Sequence, residues 1–452
     1  MKKLKKIFEK FLYIYFVVTF LIFLIFTYFV YESYTLSNKP SINNKIIKRA
    51  VLAYREAPLI FIGAINGYFE NIKSINIKVE NDELKKIEKA RFLAKKNRRL
   101  NKTIAKKSSV NAEIHILRDN AEIKNIKFKL KGDRPSHFSQ KKNSSYKINL
   151  KNNEFFLGLN EFGIHKPRAR NYIYEWIFHK LMRDENIVGP KYNFINLNIN
   201  NKNKGLYALE ESLDNLVFNN NEIGPIFFWP DDLLIENDFK IIKSNNYKEL
   251  LTIKSKSYWN KKENIDIKKK AFIKFHKFLD RDANIQETFD IKNIAKYMAL
   301  TDLLMTYHGY SNGNIRFHFN PKSNLFELVA WDGHRQNPRY HPWNELYNPS
   351  TLIELIDKKN NSLTWLKKFL FWDEQGYKIF LKIYTNEIKR ITNKDYLNLF
   401  FTENKKKIST YNNLIYRDFF FTDNFDKYGP SFYYFDEKEI YHRANYLIKK
   451  YL

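Results

Sequence analysis

Short stretches in the first half of the chain alternate apolar and polar residues with period two, and each predicts a half-buried strand. Ala112, Ile114 and Ile116 share one face against Glu113 and His115. Past a turn at Arg118, Asp119 and Asn120, Ile126, Phe128 and Leu130 alternate with Lys127, Lys129 and Lys131. After the loop 132–137, Tyr146, Ile148 and Leu150 alternate with Lys147 and Asn149. Ile195, Leu197 and Ile199 alternate with asparagines, and the chain returns through Leu206, Tyr207, Ala208 and Leu209 to Glu210 and Glu211. Between these strands, residues 171–183 carry the apolar spacing of a helix.

Helical spacing prevails elsewhere. Residues 42–100 read as mainly helical, with Asn81 and Asp82 placed to cap a helix that runs through Leu84, Ile87 and Phe92. From Lys262 onward helices dominate, interrupted by a strand pair that turns through 320–324. A helix is expected to end near His308 and Gly309, just before that pair. The last helix, with Asp436 as its cap, aligns Ile440, Ala444, Leu447, Ile448 and Tyr451 in one stripe. Antiparallel strands followed by helices predict an α+β body.

The N-terminus has a different pattern. Residues 11–31 hold no charge and are rich in Phe, Ile, Leu and Val, long enough to span a hydrocarbon core as one helix. Lys2, Lys3, Lys5, Lys6 and Lys10 precede this run, and only Lys39 and Lys45 follow closely. That asymmetry predicts an uncleaved, single-pass anchor with a cytoplasmic N-terminus and an extracytoplasmic body. No small-x-small cleavage motif follows the run. The expected organisation is a Lys-rich stub and transmembrane anchor over 1–35 and a membrane-proximal helical segment over 36–108. The core then runs over 109–350, with a helical extension packed on it over 351–452.

Composition adds limits. The 452 residues hold 78 Lys and Arg against 49 Asp and Glu, a net charge of +29. The basic residues are spread along the chain and no recognised nucleic-acid module is present, so nucleic acid is not an expected partner. Without cysteine, disulfides, thiolate metal sites and a cysteine nucleophile are excluded.

The candidate chemistry gathers around 303–333. A polar loop carries Asn312 and Asn314, and a hairpin delivers Trp331, Asp332 and Gly333, so Asn314 and Asp332 fall at the same ends of adjacent strands. Two such oxygen ligands suit Mg²⁺ bound to nucleotide phosphates. Lys147 on a polar strand face and Arg134 in a turn are candidate phosphate cations, and Glu211 is placed to pair with Lys147. A carboxylate ending the buried run Val329, Ala330 and Trp331 requires a partner. Asp302 falls on the apolar stripe of Ile291, Ala295, Met298 and Met305, which predicts burial and hydrogen bonding.

In order and wording these motifs resemble the spore-coat-protein-H (CotH) kinase family, an atypical branch of the protein-kinase-like fold. The resemblance lies in Phe128-Lys129-Leu130-Lys131-Gly132-Asp133-Arg134, Ser145-Tyr146-Lys147-Ile148, Arg170-Asn171-Tyr172 and Asn198-Ile199-Asn200. It continues in Gly205-Leu206-Tyr207-Ala208-Leu209-Glu210-Glu211, Asn314-Ile315-Arg316-Phe317 and Trp331-Asp332-Gly333. It implies ATP, a divalent metal such as Mg²⁺, and phosphate transfer to a hydroxyl; with the body expected outside the cytoplasm, the acceptor would be an envelope protein or a glycan. Lys147 and its partner Glu211 then correspond to the phosphate-contacting pair, and Asn314 and Asp332 to metal ligands. One departure stands out: the family's usual catalytic Asp is missing from His308-Gly309-Tyr310-Ser311-Asn312-Gly313. His308 and Asp302 are the remaining candidates for general base. The alternative is a catalytically degenerate domain serving as a membrane-tethered binding or scaffold module.

Overall fold

The computed structural model describes residues 11, 13–21, 59–117, 122–138, 144–152, 154–219, 223–229, 251–310, 313–333, 350–358, 363–419, 425–426, 429–430, 435 and 437–452. The chain divides into two compact units, Met1–Glu70 with Ser409–Tyr434, and Asn71–Ile408 with Phe435–Leu452.

In the smaller unit residues 13–21 and 59–66 are helical. Glu70 fastens the second of these segments, accepting hydrogen bonds from Thr410 Oγ1 and Asn413 Nδ2, both at 2.8 Å. Among the described residues no helix is long and apolar enough to cross a membrane. Residues 12 and 22–31 of the expected span lie outside the described residues.

The larger unit is a mixed α+β body. Its strands β1 (Ser74–Lys78), β2 (Val110–Ile116), β3 (Lys124–Leu130), β4 (Tyr146–Leu150), β5 (Glu161–His165), β6 (Tyr192–Ile199) and β7 (Lys202–Glu211) close into a barrel in the order β1-β2-β3-β4-β5-β7-β6. All pairings are antiparallel except β1 with β6, which is parallel and sets Ile75 opposite Leu197. Alternation makes the barrel. Ile77, Ile114, Ile126, Phe128, Ile148, Phe162 and Leu197 turn to one side and are fully buried, each contributing roughly 1.5–3 kcal/mol by leaving water. Helix α1 (Asn81–Lys96) buries Ile87, Ala90 and Ala94 in the same core.

β1 lies within the stretch expected to be helical. Its five residues are too few to show a period, and pairing on both edges decides their conformation. β5 was likewise not predicted. Asn81 is the first residue of α1 rather than its cap; Glu80 precedes it and caps nothing with its side chain. The turn at Arg118, Asp119 and Asn120 and the cap residue Asp436 lie outside the described residues.

The second half packs helices on a smaller sheet ordered β11-β10-β8-β9, comprising β8 (Ile226–Phe228), β9 (Thr252–Ile253), β10 (Phe317–Asn320) and β11 (Leu325–Leu328). Phe227 stacks on Phe275 at 5.4 Å, and Phe317 and Phe326 complete an aromatic core. Helix α2 (Ile173–Asp184) and helix α3 (Ile291–Leu304) flank the region. α3 stops at Leu304, before the expected His308, because Met305 turns left-handed at φ 56°. The Thr306 N–H then reaches back to Thr301 O at 2.9 Å, closing the last turn. Tyr307–Tyr310 forms a separate 3-10 turn. Helices α4 (Leu352–Asp357), α5 (Glu374–Ile391) and α6 (Lys438–Tyr451) follow.

Candidate functional site

Strand register builds the first half of the site. Lys129, Lys147, Gly163, Glu210 and Tyr192 stand directly opposite one another across β3, β4, β5, β7 and β6. Directly opposed residues share a face. Lys131 continues the lysine face of β3 past the strand's end, and its Nζ donates to Glu210 Oε2 at 2.6 Å. His165 Nε2 lies 2.7 Å from the same oxygen and 3.1 Å from the lysine. Gly163 leaves the space: a Cβ there would sit 2.3 Å from Lys131 Nζ.

Glu210 is fully buried. Burial alone would raise its pKa, yet Lys131, His165 and Arg170 together hold it well below the usual carboxylate range. Burial is also the main cause that lowers Lys131. His165 is pushed down to about 4, by burial first and Lys131 next, so it is neutral at physiological pH.

Arg170 connects this cluster to the second half. It ends the 3-10 turn Pro167–Arg170, and Asn171 turns left-handed behind it. One guanidinium nitrogen stands 3.7 Å from Glu210 Oε1 while another bonds Asp332 Oδ1. Desolvation opposes the buried charge, but Glu210 and Glu175 outweigh it and the Arg170 pKa is raised.

Asp332 follows β11 on a segment fixed by two backbone bonds, Val329 N–H to Arg316 O at 3.0 Å and Ala330 N–H to Val188 O at 2.7 Å. It has φ 53°, a left-handed conformation that Asp tolerates better than most residues. Its Oδ2 lies 3.0 Å from His308 Nδ1. Asn314 Nδ2 is 3.0 Å from that same nitrogen and 3.3 Å from His308 O. Gly309 permits this approach, since a Cβ there would come within 2.7 Å of Trp331 O. His308, Asn314 and Asp332 therefore meet at one point. Their carboxylate and carboxamide oxygens are the hard donors that Mg²⁺ takes.

Other expected residues lie elsewhere. Lys147 bonds Glu161 at 2.6 Å, and Glu211 accepts from Lys191 N–H at 2.9 Å and from Asn215. The expected Lys147–Glu211 pair is not made, and parity is the reason: Glu211 stands opposite Phe162, on the other face of the sheet from Lys147. The pair that forms is Lys131–Glu210. Arg134 is exposed, with Asp133 at 3.5 Å as an ion partner.

Asp302 is buried, as its stripe predicted, but it is an anchor. Its carboxylate accepts from Tyr307 Oη and Tyr384 Oη at 2.5 Å each, from Leu352 N–H at 3.0 Å, and from Arg443. With both oxygens so occupied by protein donors it offers no open acceptor to a substrate hydroxyl, which argues against the role of general base.

The motif order pointed to Lys131 and Arg170 only as members of matching segments. Counting strand parity back from Glu210 was the available signal for Lys131. For Arg170 the motif gave no partner, and for His165 no sequence signal existed, because neither lies within a periodic pattern that specifies a partner.

The family model described as CotH kinase protein matches residues 128–416, well over half of the chain. The chain belongs to the CotH kinase family. No curated protein matches it.

Proposed function

We propose that this CotH-family chain is a phosphotransferase that moves phosphate from Mg²⁺-bound ATP to a hydroxyl of an envelope protein or glycan. The observation carrying this reading is the continuous line Lys131–Glu210–Arg170–Asp332–His308–Asn314. A buried Lys–Glu pair and a metal-binding Asp are the two parts that must be in place for kinase chemistry. Asp332 and Asn314 would hold the metal, and the metal would neutralise charge on the phosphates. Lys131, kept straight by Glu210, supplies the ammonium for the phosphate oxygens. Arg170 ties the two carboxylates so that a shift in one is felt by the other. His308 is the residue placed to receive a proton, held by Asp332 Oδ2 at 3.0 Å from its Nδ1.

The expected test is calorimetry on the full chain with ATP and Mg²⁺. Nucleotide uptake should depend on Mg²⁺ and vanish in Asp332→Ala. His308→Ala should bind nucleotide but lose roughly a hundredfold or more in rate if the imidazole is the base.

A second reading, a binding or scaffold module without catalysis, draws on a specific feature. Both Asp332 oxygens already have protein partners, Arg170 and His308, and the loop 308–313 has no carboxylate. Absence of nucleotide uptake by the wild-type chain would favour it and sink the first.

We also propose that the N-terminal apolar run anchors the chain in a membrane with the body outside the cytoplasm. Support comes from the charge asymmetry and from the helical residues 13–21, where Tyr13, Phe16 and Phe20 are exposed. An extracytoplasmic body would need a phosphoryl donor on that side. A C-terminal reporter fusion tests this topology, and cytoplasmic reporter activity would overturn it.

A further inference from the structure

Helix α2 presents Glu175 and His179 four residues apart, hence on one helical face. That face meets β7 at Glu210. Glu175, His179 and Glu210 are all fully buried, and their ligand atoms lie within 4.8 Å of one another. His179 Nε2 is 3.2 Å from Glu175 Oε1. Two neighbouring ligands held about 2.0–2.2 Å from one ion have nearly this separation.

The polar groups around the cluster are incompletely used. Glu210 Oε2 serves Lys131 and His165, whereas Oε1 accepts no hydrogen bond among the described residues and has the Arg170 guanidinium 3.7 Å away. The buried Tyr192 hydroxyl also lacks a hydrogen-bond partner among the described residues. Its ring stacks on His179 with centroids 5.6 Å apart and an 18° tilt. Tyr192 also stands directly opposite Glu210 across β6 and β7, so its side chain shares that face of the barrel. A buried polar atom left without a bond costs about 1–3 kcal/mol, which an ion bound at the cluster would relieve.

We propose that Glu175, His179 and Glu210 form a second metal site, for a first-row divalent cation such as Zn²⁺ or Mn²⁺. One imidazole with two carboxylates favours such an ion over Mg²⁺ or Ca²⁺, which take oxygen alone. Arg170 stands between this site and Asp332, and ion binding here does not depend on phosphate transfer. The ion would pin α2 to β7 and fix Glu210, the partner of Lys131, from behind.

The test uses the full wild-type chain, stripped with chelator and dialysed against Zn²⁺ or Mn²⁺ alone. Retention of about one equivalent of one of these ions, a rise in Tm on loading, and imidazole scattering in X-ray absorption are expected. His179→Gln and Glu175→Gln should each weaken retention by roughly 10–100-fold, whereas Asp332→Asn should retain the ion. The proposal is overturned if the wild-type chain keeps neither ion, if the bound ion shows no imidazole ligand, or if both variants hold it as tightly. Should a variant fail to fold, wild-type retention and absorption decide alone. Failure of nucleotide binding with metal retained would strike the phosphotransferase reading and leave this one standing.

Discussion

Around Asp302, donors from elements far apart in the chain converge on one carboxylate: Tyr307 from the 3-10 turn, Leu352 N–H from α4, Tyr384 from α5 and Arg443 from α6. Around Asp332 the partners are Arg170 and His308, and each of these faces a further polar group, Glu210 or Asn314. Both carboxylates are buried. One is saturated by donors whose further bonds run to one another and to backbone, Arg443 to Tyr307 Oη at 2.9 Å and Tyr307 to Ser350 O at 3.3 Å, and so it closes the structure. The other is one link in a chain of titratable groups, the kind of surrounding in which chemistry is found. Burial of a carboxylate does not identify a site; the identity and further commitments of its partners do.

That contrast can be broken by experiment. Asp302→Ala leaves Arg443 buried without its carboxylate and should cost about 3–5 kcal/mol, read as a lower urea midpoint. Asp332→Ala should cost less in stability, while abolishing Mg²⁺-dependent nucleotide uptake. Equal losses of stability would erase the distinction. Next in size, Lys131→Ala should lower the phosphotransfer rate on the order of a hundredfold, against less than about threefold for Lys147→Ala. Comparable rates in the two variants would return the phosphate role to Lys147. In denaturation the Lys147–Glu161 pair should be worth less than about 1 kcal/mol, as for other partly exposed pairs.

A pH series sharpens the same point. His165 has its folded pKa at about 4, below the ordinary 6.5, so the unfolded chain takes up its proton first as pH falls. The unfolding free energy should therefore decline from about pH 6.5 towards pH 4. Glu210, held well below the usual range, adds stability above the ordinary carboxylate pKa that is lost on further acidification. His165→Gln should flatten the upper part of this slope; an unchanged slope would show that His165 carries none of it. The smallest effect is expected at Arg134, whose side chain is 74 % exposed. Arg134→Ala should stay within about 0.5 kcal/mol in stability, and a clear loss of nucleotide affinity there would restore it to the site.

Much of the barrel was legible because alternation over β2, β3, β4 and β6 reports directly which side chains leave water, and β7 follows from the turn after β6. The missing strands, β1 and β5, owe their conformation to neighbours on both edges. Asn314 and Asp332 come together at His308, as expected, because the hairpin between them fixes their ends side by side. The Lys147–Glu211 assignment failed by parity, a shift of one residue that carries a side chain to the opposite face.

The sequence by itself determined the α+β order, the family through its motifs, and the meeting of Asn314 with Asp332, since each follows from local period or short-range connection. Only the tertiary structure decided that Lys131 rather than Lys147 meets a buried glutamate, that Arg170 bridges to Asp332, and that Asp302 anchors distant helices. Those choices depend on strand register and on charges that must find partners once water is removed, and neither is encoded in any one stretch of chain.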